Sequence, residues 1–463
     1  MTRIFTFFLM MVSGLLIAQN VINNEFTFNE YLGFVKKYHP LVQNANLEID
    51  AAQADLLMAR GGFDPKIEID YDKKQFKNVE YYSVLNSSFK IPTWYGVEIK
   101  AGFDNSEGIY VNPEHVNPNS GLTSLGLTVP IGQGLFINQR MADLQQAKLN
   151  LRLGQAQRKL EAIEVLYDAS VAYFAWKRSF SEVKLYENYN VNAEIRLQGI
   201  QKLIEEGDKP AIDSVEAGII VKNRRLSLED SQLKLVKAKL DLSNYLWLEN
   251  NIPLELSETM VPEENLNKTI QETLRTNNLL NGNFSIVNHP KIDALERKID
   301  ILEIERRFKA NMLLPQLDLS YNYLSEPASF SNFRTQDYKI GINFYFPIFL
   351  RKERGALRLT KIKLQESTSI LDLERVQLTN KITAQNFEIN SLIRQRRLIE
   401  SLVDNNDTML KSEDRLFTFG ESSLFLINTR ENNLVTAQLN QIALEYRFYV
   451  SNAELFRVMS NPD

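Results

Sequence analysis

The sequence predicts a mainly α protein with membrane β, internally duplicated, in which long antiparallel helical hairpins accompany amphipathic strands. Three observations predict it. Two Pro-free stretches, 138–206 and 351–419, carry apolar residues at alternating spacings of four and three, the seam of a long helix that packs lengthwise on others. Shorter stretches within 65–130 and 315–347 alternate apolar and polar residues, which is the period of a strand with two unlike faces. The order helix, strands, long helix, Gly-marked break, helix occurs twice. His39-Pro40 and His289-Pro290 open the two copies, 250 residues apart, and each is followed 26 residues later by another Pro, Pro65 and Pro315.

Residues 1–19 read as a signal peptide: Arg3, an apolar run from Ile4 to Ile17, then Ala18 before polar Gln19. The run is shorter than the ~20 residues of a spanning helix, and no Cys follows it to carry a lipid. No later segment reaches 18 uninterrupted apolar residues, so entry into a membrane requires a closed β-barrel.

The first repeat is assigned to 20–250. Thr27 and Glu30 form a capping box. A helix follows from about Leu41 to Ala59 and stops at Gly61-Gly62. Ile67, Ile69 and Tyr71 then alternate with Glu68, Asp70 and Asp72; Ile99, Ala101 and Phe103 alternate with Glu98, Lys100 and Gly102; Leu125, Leu127 and Val129 lead to Pro130. The stretch 79–92 reads either as a further strand or as an excursion outside the sheet. In the long helix 138–206, Leu149, Leu153, Ala156, Leu160, Ile163, Tyr167, Ser170 and Phe174 form the seam. Gly207 and Pro210 break it, and a returning helix, 211–248, carries Val215, Ile219, Leu226, Leu233, Val236 and Leu240.

A less regular segment, 251–286, joins the halves. The second repeat, 287–463, has strands within 315–347, with Leu317, Leu319, Tyr321 and Tyr323 alternating with polar residues and Ile340, Ile342, Phe344 and Phe346 doing the same. Its long helix, 351–419, keeps Leu378, Ile382, Ile389, Leu392, Ile399 and Val403 in register, with Gln385 and Arg396 inside the seam. "FGESS" breaks it before the last helix, 424–459. Pro suits the first turn of a helix, so both His-Pro pairs read as structural junctions and not as ligands.

Composition narrows the function. With 53 basic against 58 acidic residues, the chain lacks the basic footprint of a nucleic-acid binder. Without Cys there is no disulfide, thiolate metal site or thiol nucleophile. Neither a His/carboxylate metal spacing nor a phosphate-binding Gly loop occurs, so no enzyme, cofactor or metal site is expected. The strands have lengths that cross a bilayer when tilted, and aromatic residues such as Tyr71, Trp94, Tyr95, Tyr338, Phe346 and Phe349 cluster near their ends, as interfacial girdles do. One chain has too few strands to close a barrel, and open edges cannot face lipid; closure requires several copies.

In its duplicated order, His-Pro helix starts, Pro-terminated hairpins and breaks "EEGDKPAIDSVEA" and "FTFGESSLFLINTRE", the chain resembles the TolC-like outer membrane efflux proteins over nearly its whole mature length. The resemblance implies a homotrimer in outer membrane lipid: a twelve-stranded transmembrane β-barrel completed by trimerisation, continued by a twelve-helix α-barrel across the periplasm. It implies a passive export duct of a tripartite efflux system, docked by a periplasmic adaptor that couples it to an inner-membrane transporter. The implied adaptor-contact tips are Glu205, Glu206, Gly207, Asp208, Lys209 and Pro210, with Phe419, Gly420, Glu421, Ser422 and Ser423. Family members carry a pair of acids three residues apart after the second tip. The matching positions hold Asn428 and Glu431, while Asp213 and Glu216 offer the spacing after the first. Glu431, Asp213 and Glu216, with Asn428 in the missing acid's place, are the candidate periplasmic constriction, where three copies of each carboxylate would repel. Two other readings stay open: the outer membrane component of a type I protein secretion system, and a soluble periplasmic coiled-coil scaffold.

Overall fold

Helices begin and end where local chemistry places them. The structure, a computed structural model, describes residues 24–274, 286–329 and 334–459. The expected leader, 1–19, and residues 275–285 of the joining segment lie outside the described residues. Helix α1 (Phe28–Tyr38) starts on the Thr27/Glu30 capping box, both hydrogen bonds present. His39 separates it from α2 (Pro40–Gly61). The two long helices are α3 (Gln139–Glu205) and α7 (Arg351–Thr418); α4 (Ile212–Ser243) follows the first and α8 (Leu424–Met459) the second. A short α5 (Leu266–Thr273) falls in the joining segment, and α6 (Pro290–Asn311) opens the second repeat. At α6 the Nδ1 of His289 accepts the Lys291 N–H (3.1 Å) with Pro290 in the first turn, so this His is an N-cap.

The chain packs as two units that cut across the repeats. One comprises 1–43, 162–284 and 381–461, the other 44–161, 285–380 and 462–463.

The first unit holds an aromatic core. Phe28, Tyr31, Tyr173, Phe174 and Trp176 are fully buried among Leu242, Leu266, Ile270, Ile389, Leu392 and Tyr449. Each such side chain contributes about 1.5–3 kcal/mol by leaving water. The joining segment is not loose here: Leu266 and Ile270 insert into this core, and Val261–Pro262 pairs in parallel with Glu25–Phe26. One hydroxyl serves both strands. Tyr173 donates to the Phe26 carbonyl (2.6 Å) and accepts the Glu263 N–H (3.1 Å). Two polar seam residues find partners as well. Ser170 donates back to Leu166 O (2.6 Å), and Gln385 donates to Ser451 O (3.0 Å). The α4 seam differs from expectation. Val215, Ile219, Leu226, Leu233, Val236 and Leu240 are each more than half exposed, while smaller Ala217, Ser231 and Ala238 face inward.

The second unit contains one antiparallel six-stranded sheet: β1 (Lys66–Phe76), β2 (Val79–Pro92), β3 (Glu98–Glu107), β4 (Leu122–Pro130), β5 (Gln316–Ser325) and β6 (Tyr338–Tyr345), in spatial order 6-5-4-3-2-1. The stretch 79–92 is therefore a strand, paired on both edges. A twelve-stranded ring of three copies would take four strands from each; this sheet has six. Lys77 and Asn78, both at positive φ, join β1 to β2 in the two-residue turn that matches strand twist.

Register sorts the faces. Ile67 pairs with Phe89, Phe89 with Ala101, Ala101 with Leu125, Leu125 with Tyr323 and Tyr323 with Tyr338. Glu68, Ser88, Gly102, Ser124, Leu324 and Asp337 follow one residue on. The apolar face is exposed, Ile67 at 73 % and Ile342 at 70 %. The polar face is crowded. A Cβ at Gly102, Gly126 or Gly341 would lie 2.6, 2.2 and 2.6 Å from Ser124, Asn322 and Ser320. Glycine at these positions lets the neighbouring strand's groups approach closely. Among the described residues no helix is long and apolar enough to cross a membrane.

Tyr173→Phe is expected to leave the Phe26 carbonyl and Glu263 N–H without their shared partner, costing about 1–3 kcal/mol. Urea unfolding followed by tryptophan fluorescence checks it.

Candidate functional site

Both breaks between paired helices have the same construction. Gly207 at φ +86° and Gly420 at φ +80° terminate α3 and α7 in the left-handed region, with open space around each. Gly207 N–H donates to Ile204 O (3.0 Å) and Asp208 N–H to Leu203 O (2.8 Å). Gly420 N–H donates to Phe417 O (3.0 Å) and Glu421 N–H to Leu416 O (2.9 Å). These are matching Schellman caps; the glycines are required by backbone conformation, since nothing crowds them.

Around these turns, Glu205, Glu206, Asp208, Pro210, Phe419, Glu421 and Ser423 are exposed, while Lys209 and Ser422 are half-buried. Lys209 Nζ lies 4.9 Å over the Phe417 ring, and Ser422 donates to Glu413, which also meets Arg430 (3.4 Å). Phe425, absent from the residues singled out in the sequence, is as exposed as Phe419. Two aromatic side chains thus stand in solvent at the second tip.

The candidate constriction residues divide. Asp213 and Glu216 are half-buried. Asn428 is buried and donates through Nδ2 to Glu216 Oε1 (3.0 Å), joining α8 to α4. Glu431 departs from expectation. It is 2 % exposed, and its carboxylate receives Arg196 from α3 and Arg224 from α4, the latter at 3.3 Å. It therefore stands as an ion-paired link inside its own chain and not as a carboxylate left open to repel its copies. Arg224 also donates to Asn432 Oδ1 (2.7 Å) and lies 5.7 Å over the Tyr189 ring. Burial pushes the Tyr189 hydroxyl up to about 12, which keeps it a neutral donor to Gln438 (2.7 Å). Arg196, Arg224 and Asn432 escaped the sequence reading because nothing near them in sequence marks their partner; Glu431 lies 235 and 207 residues from the two arginines. Among the described residues no group of three His or carboxylates is placed to hold a metal ion.

The model of the family described as "Outer membrane efflux protein" matches residues 284–461. Solved structures share the fold across the chain. A membrane protein from Pseudomonas aeruginosa aligns with TM-score 0.65 and 13 % identity, covering 93 % of this chain and 92 % of that one. The Campylobacter jejuni CmeC outer membrane channel gives 0.65 and 12 %, covering 93 % and 85 %. The outer membrane protein VceC from Vibrio cholerae gives 0.65 and 13 %, covering 94 % and 96 %. No curated protein sequence matches the chain. The second repeat thus carries the sequence of the outer membrane efflux protein family, and the chain as a whole has the fold of TolC-like channels.

Two substitutions test the tip contacts. Glu431→Ala strands two largely buried guanidinium groups and is expected to cost about 3–5 kcal/mol, seen as faster hydrogen exchange in 190–225 and 424–440. Asn428→Asp sets a second carboxylate against Glu216. Like charges at that distance repel, so exchange around both residues should be faster than in the unsubstituted protein when the two are compared at pH 8.

Proposed function

We propose that this chain is an outer membrane efflux channel: a homotrimeric, passive export duct in a tripartite efflux system. Its tips receive a periplasmic adaptor, and through the adaptor an inner-membrane transporter drives cargo into it. The observation that carries the reading is the sheet, one face of which is apolar and largely exposed while the other is polar. A soluble scaffold would bury the apolar face; a membrane duct presents it to lipid and keeps the polar face for water.

Exposed apolar stripes on the helices support assembly. Leu226, Leu233, Val236 and Leu240 form one on α4; Phe387, Leu398, Leu402 and Met409 form another on α7. Stripes on different helices suit a heterologous contact, α4 of one copy against α7 of the next, and such contacts close into rings. The exposed Phe419 and Phe425, beside charged Glu421 and Lys209, supply the apolar anchors and polar rim that a docking partner uses. No catalytic step is assigned to the chain; what it contributes is a lined path.

The experiment is fractionation followed by sizing. The protein should stay with the outer membrane after a salt wash and require detergent for release. It should then run as three chains and conduct ions in planar bilayers. Leu226→Lys combined with Val236→Lys should yield helical monomers without conductance. Release by salt as a detergent-free monomer would refute the assignment.

A further inference from the structure

We infer that the β1 edge pairs with the β6 edge of a second copy, so that the trimer closes an eighteen-stranded barrel; the count of three rests on the proposed function. Four observations lead there.

First, β1 and β6 are the two outer strands of the sheet, each paired on one side only. Their other backbone donors and acceptors need partners once lipid replaces water.

Second, direction fits. All five pairings within the sheet are antiparallel, so β1 and β6 run oppositely. A copy rotated about a common axis brings its β6 antiparallel to this β1, and the alternation continues around the ring. An even number of strands per chain is what permits this.

Third, the β1–β2 hairpin is in phase with the other four strands. Ile67 pairs with Phe89, which continues through Ala101 to Leu125 on the apolar face of β3 and β4, and Tyr71 pairs with Leu85 on the same face, next to Asn105. Glu68 and Lys90 pair as ions on the polar face, in line with Lys100 and Ser124. A hairpin lying outside the ring would have no reason to keep both faces in register with a lipid-facing sheet. It would also have to break the continuous ladder between β2 and β3, which runs from Ser83–Glu107 to Pro92–Glu98.

Fourth, the polar faces of the two edges complement each other. The middle of β1 offers Glu68, Asp70 and Asp72, between Lys66 and Lys74, and β6 offers Lys339 and Asn343.

The consequence concerns cargo. Barrel diameter grows about linearly with strand number, and sixteen to eighteen strands leave an aqueous channel. The membrane segment of this protein is then a wide pore that admits bulky polar solutes, and size selection falls to the helical tips.

Disulfide trapping tests the edge pairing, because the chain has no Cys. One Cys is placed on β1 (Ile67→Cys, Ile69→Cys or Tyr71→Cys) and one on β6 (Ile340→Cys, Ile342→Cys or Phe344→Cys), in all nine combinations to cover the register. Within one chain these positions lie five strand spacings apart, roughly 24 Å, so a bond between them joins two copies. Oxidation is expected to give covalent trimers for some pairs. A second series places the first Cys on β3 (Ile99→Cys, Ala101→Cys or Phe103→Cys). Trimers from this series and none from the β1 series would mean that β3 is the closing edge, with four strands per chain; the eighteen-stranded barrel would fall and the trimeric duct would stand. Trapping in neither series overturns the inference, and sizing the unmodified protein then decides whether the trimer falls with it. A measurement independent of the variants is the end-on view of the native detergent-solubilised trimer by electron microscopy. Its barrel should be about one and a half times as wide as a twelve-stranded ring; a diameter equal to the twelve-stranded ring would also sink the proposal.

Discussion

Hydrocarbon offers no hydrogen bonds, and that constraint organises this molecule. A sheet whose apolar face is exposed and whose two outer strands each lack a neighbour on one side is not a finished structure. Water can satisfy the edges but not the face; lipid can satisfy the face but not the edges. Only more sheet satisfies both. The glycines on the polar face, Gly102, Gly126 and Gly341, leave room for Ser124, Asn322 and Ser320 of the neighbouring strands.

The helices answer the same kind of demand with side chains. A heptad seam states that a helix has an apolar partner without stating on which chain the partner lies. On α3 and α7 the seam turns inward: Ile163, Phe174, Ile389 and Leu392 are buried in the first unit's core. On α4 the large apolar residues Val215, Ile219, Leu226, Leu233, Val236 and Leu240 turn outward, while Ala217, Ser231 and Ala238 turn inward with Val221 and Leu242. Small inward residues let α4 lie close to its own hairpin, while the larger stripe stays available to another helix. An apolar stripe of that kind in a folded chain is a contact surface.

Much of this was legible in the sequence because the signals are local. The Thr27/Glu30 box, the His289-Pro290 start, and Gly207 and Gly420 each act within one helical turn, and each does in the structure what its chemistry predicts. Clean period-2 text at Ile99–Phe103 and Leu317–Tyr323 became strands for the same reason. Residues 79–92 were ambiguous because Ser87 sits where the apolar face should show itself, and a register shift opposite Lys74 and Gln75 interrupts the pattern. The role of Glu431 was illegible for another reason. Its arginines come from two other helices, and no spacing along the chain announces a contact made only in the folded bundle.

That contact also gives the helical bundle a gradient of adhesives. Around Tyr173 and Trp176 it is held by large aromatic and aliphatic side chains, which nothing in water can replace. Toward the breaks the apolar clusters shrink to Tyr189, Leu434 and Val435, then to Ile200, Ala217 and Leu424. Polar contacts take over: Arg196 and Arg224 on Glu431, Asn428 on Glu216, Ser422 and Arg430 on Glu413. An ion pair largely removed from water contributes little net stability, because desolvation offsets most of the attraction. It does fix geometry, since each carboxylate accepts only the groups placed around it. Water and a docked partner's polar groups can substitute for such contacts, whereas they cannot substitute for a packed Trp. Regions with few apolar contacts open at the lowest free energy. The helix ends near the breaks are therefore held by contacts that water can replace, while the other end of the bundle is held by the aromatic core.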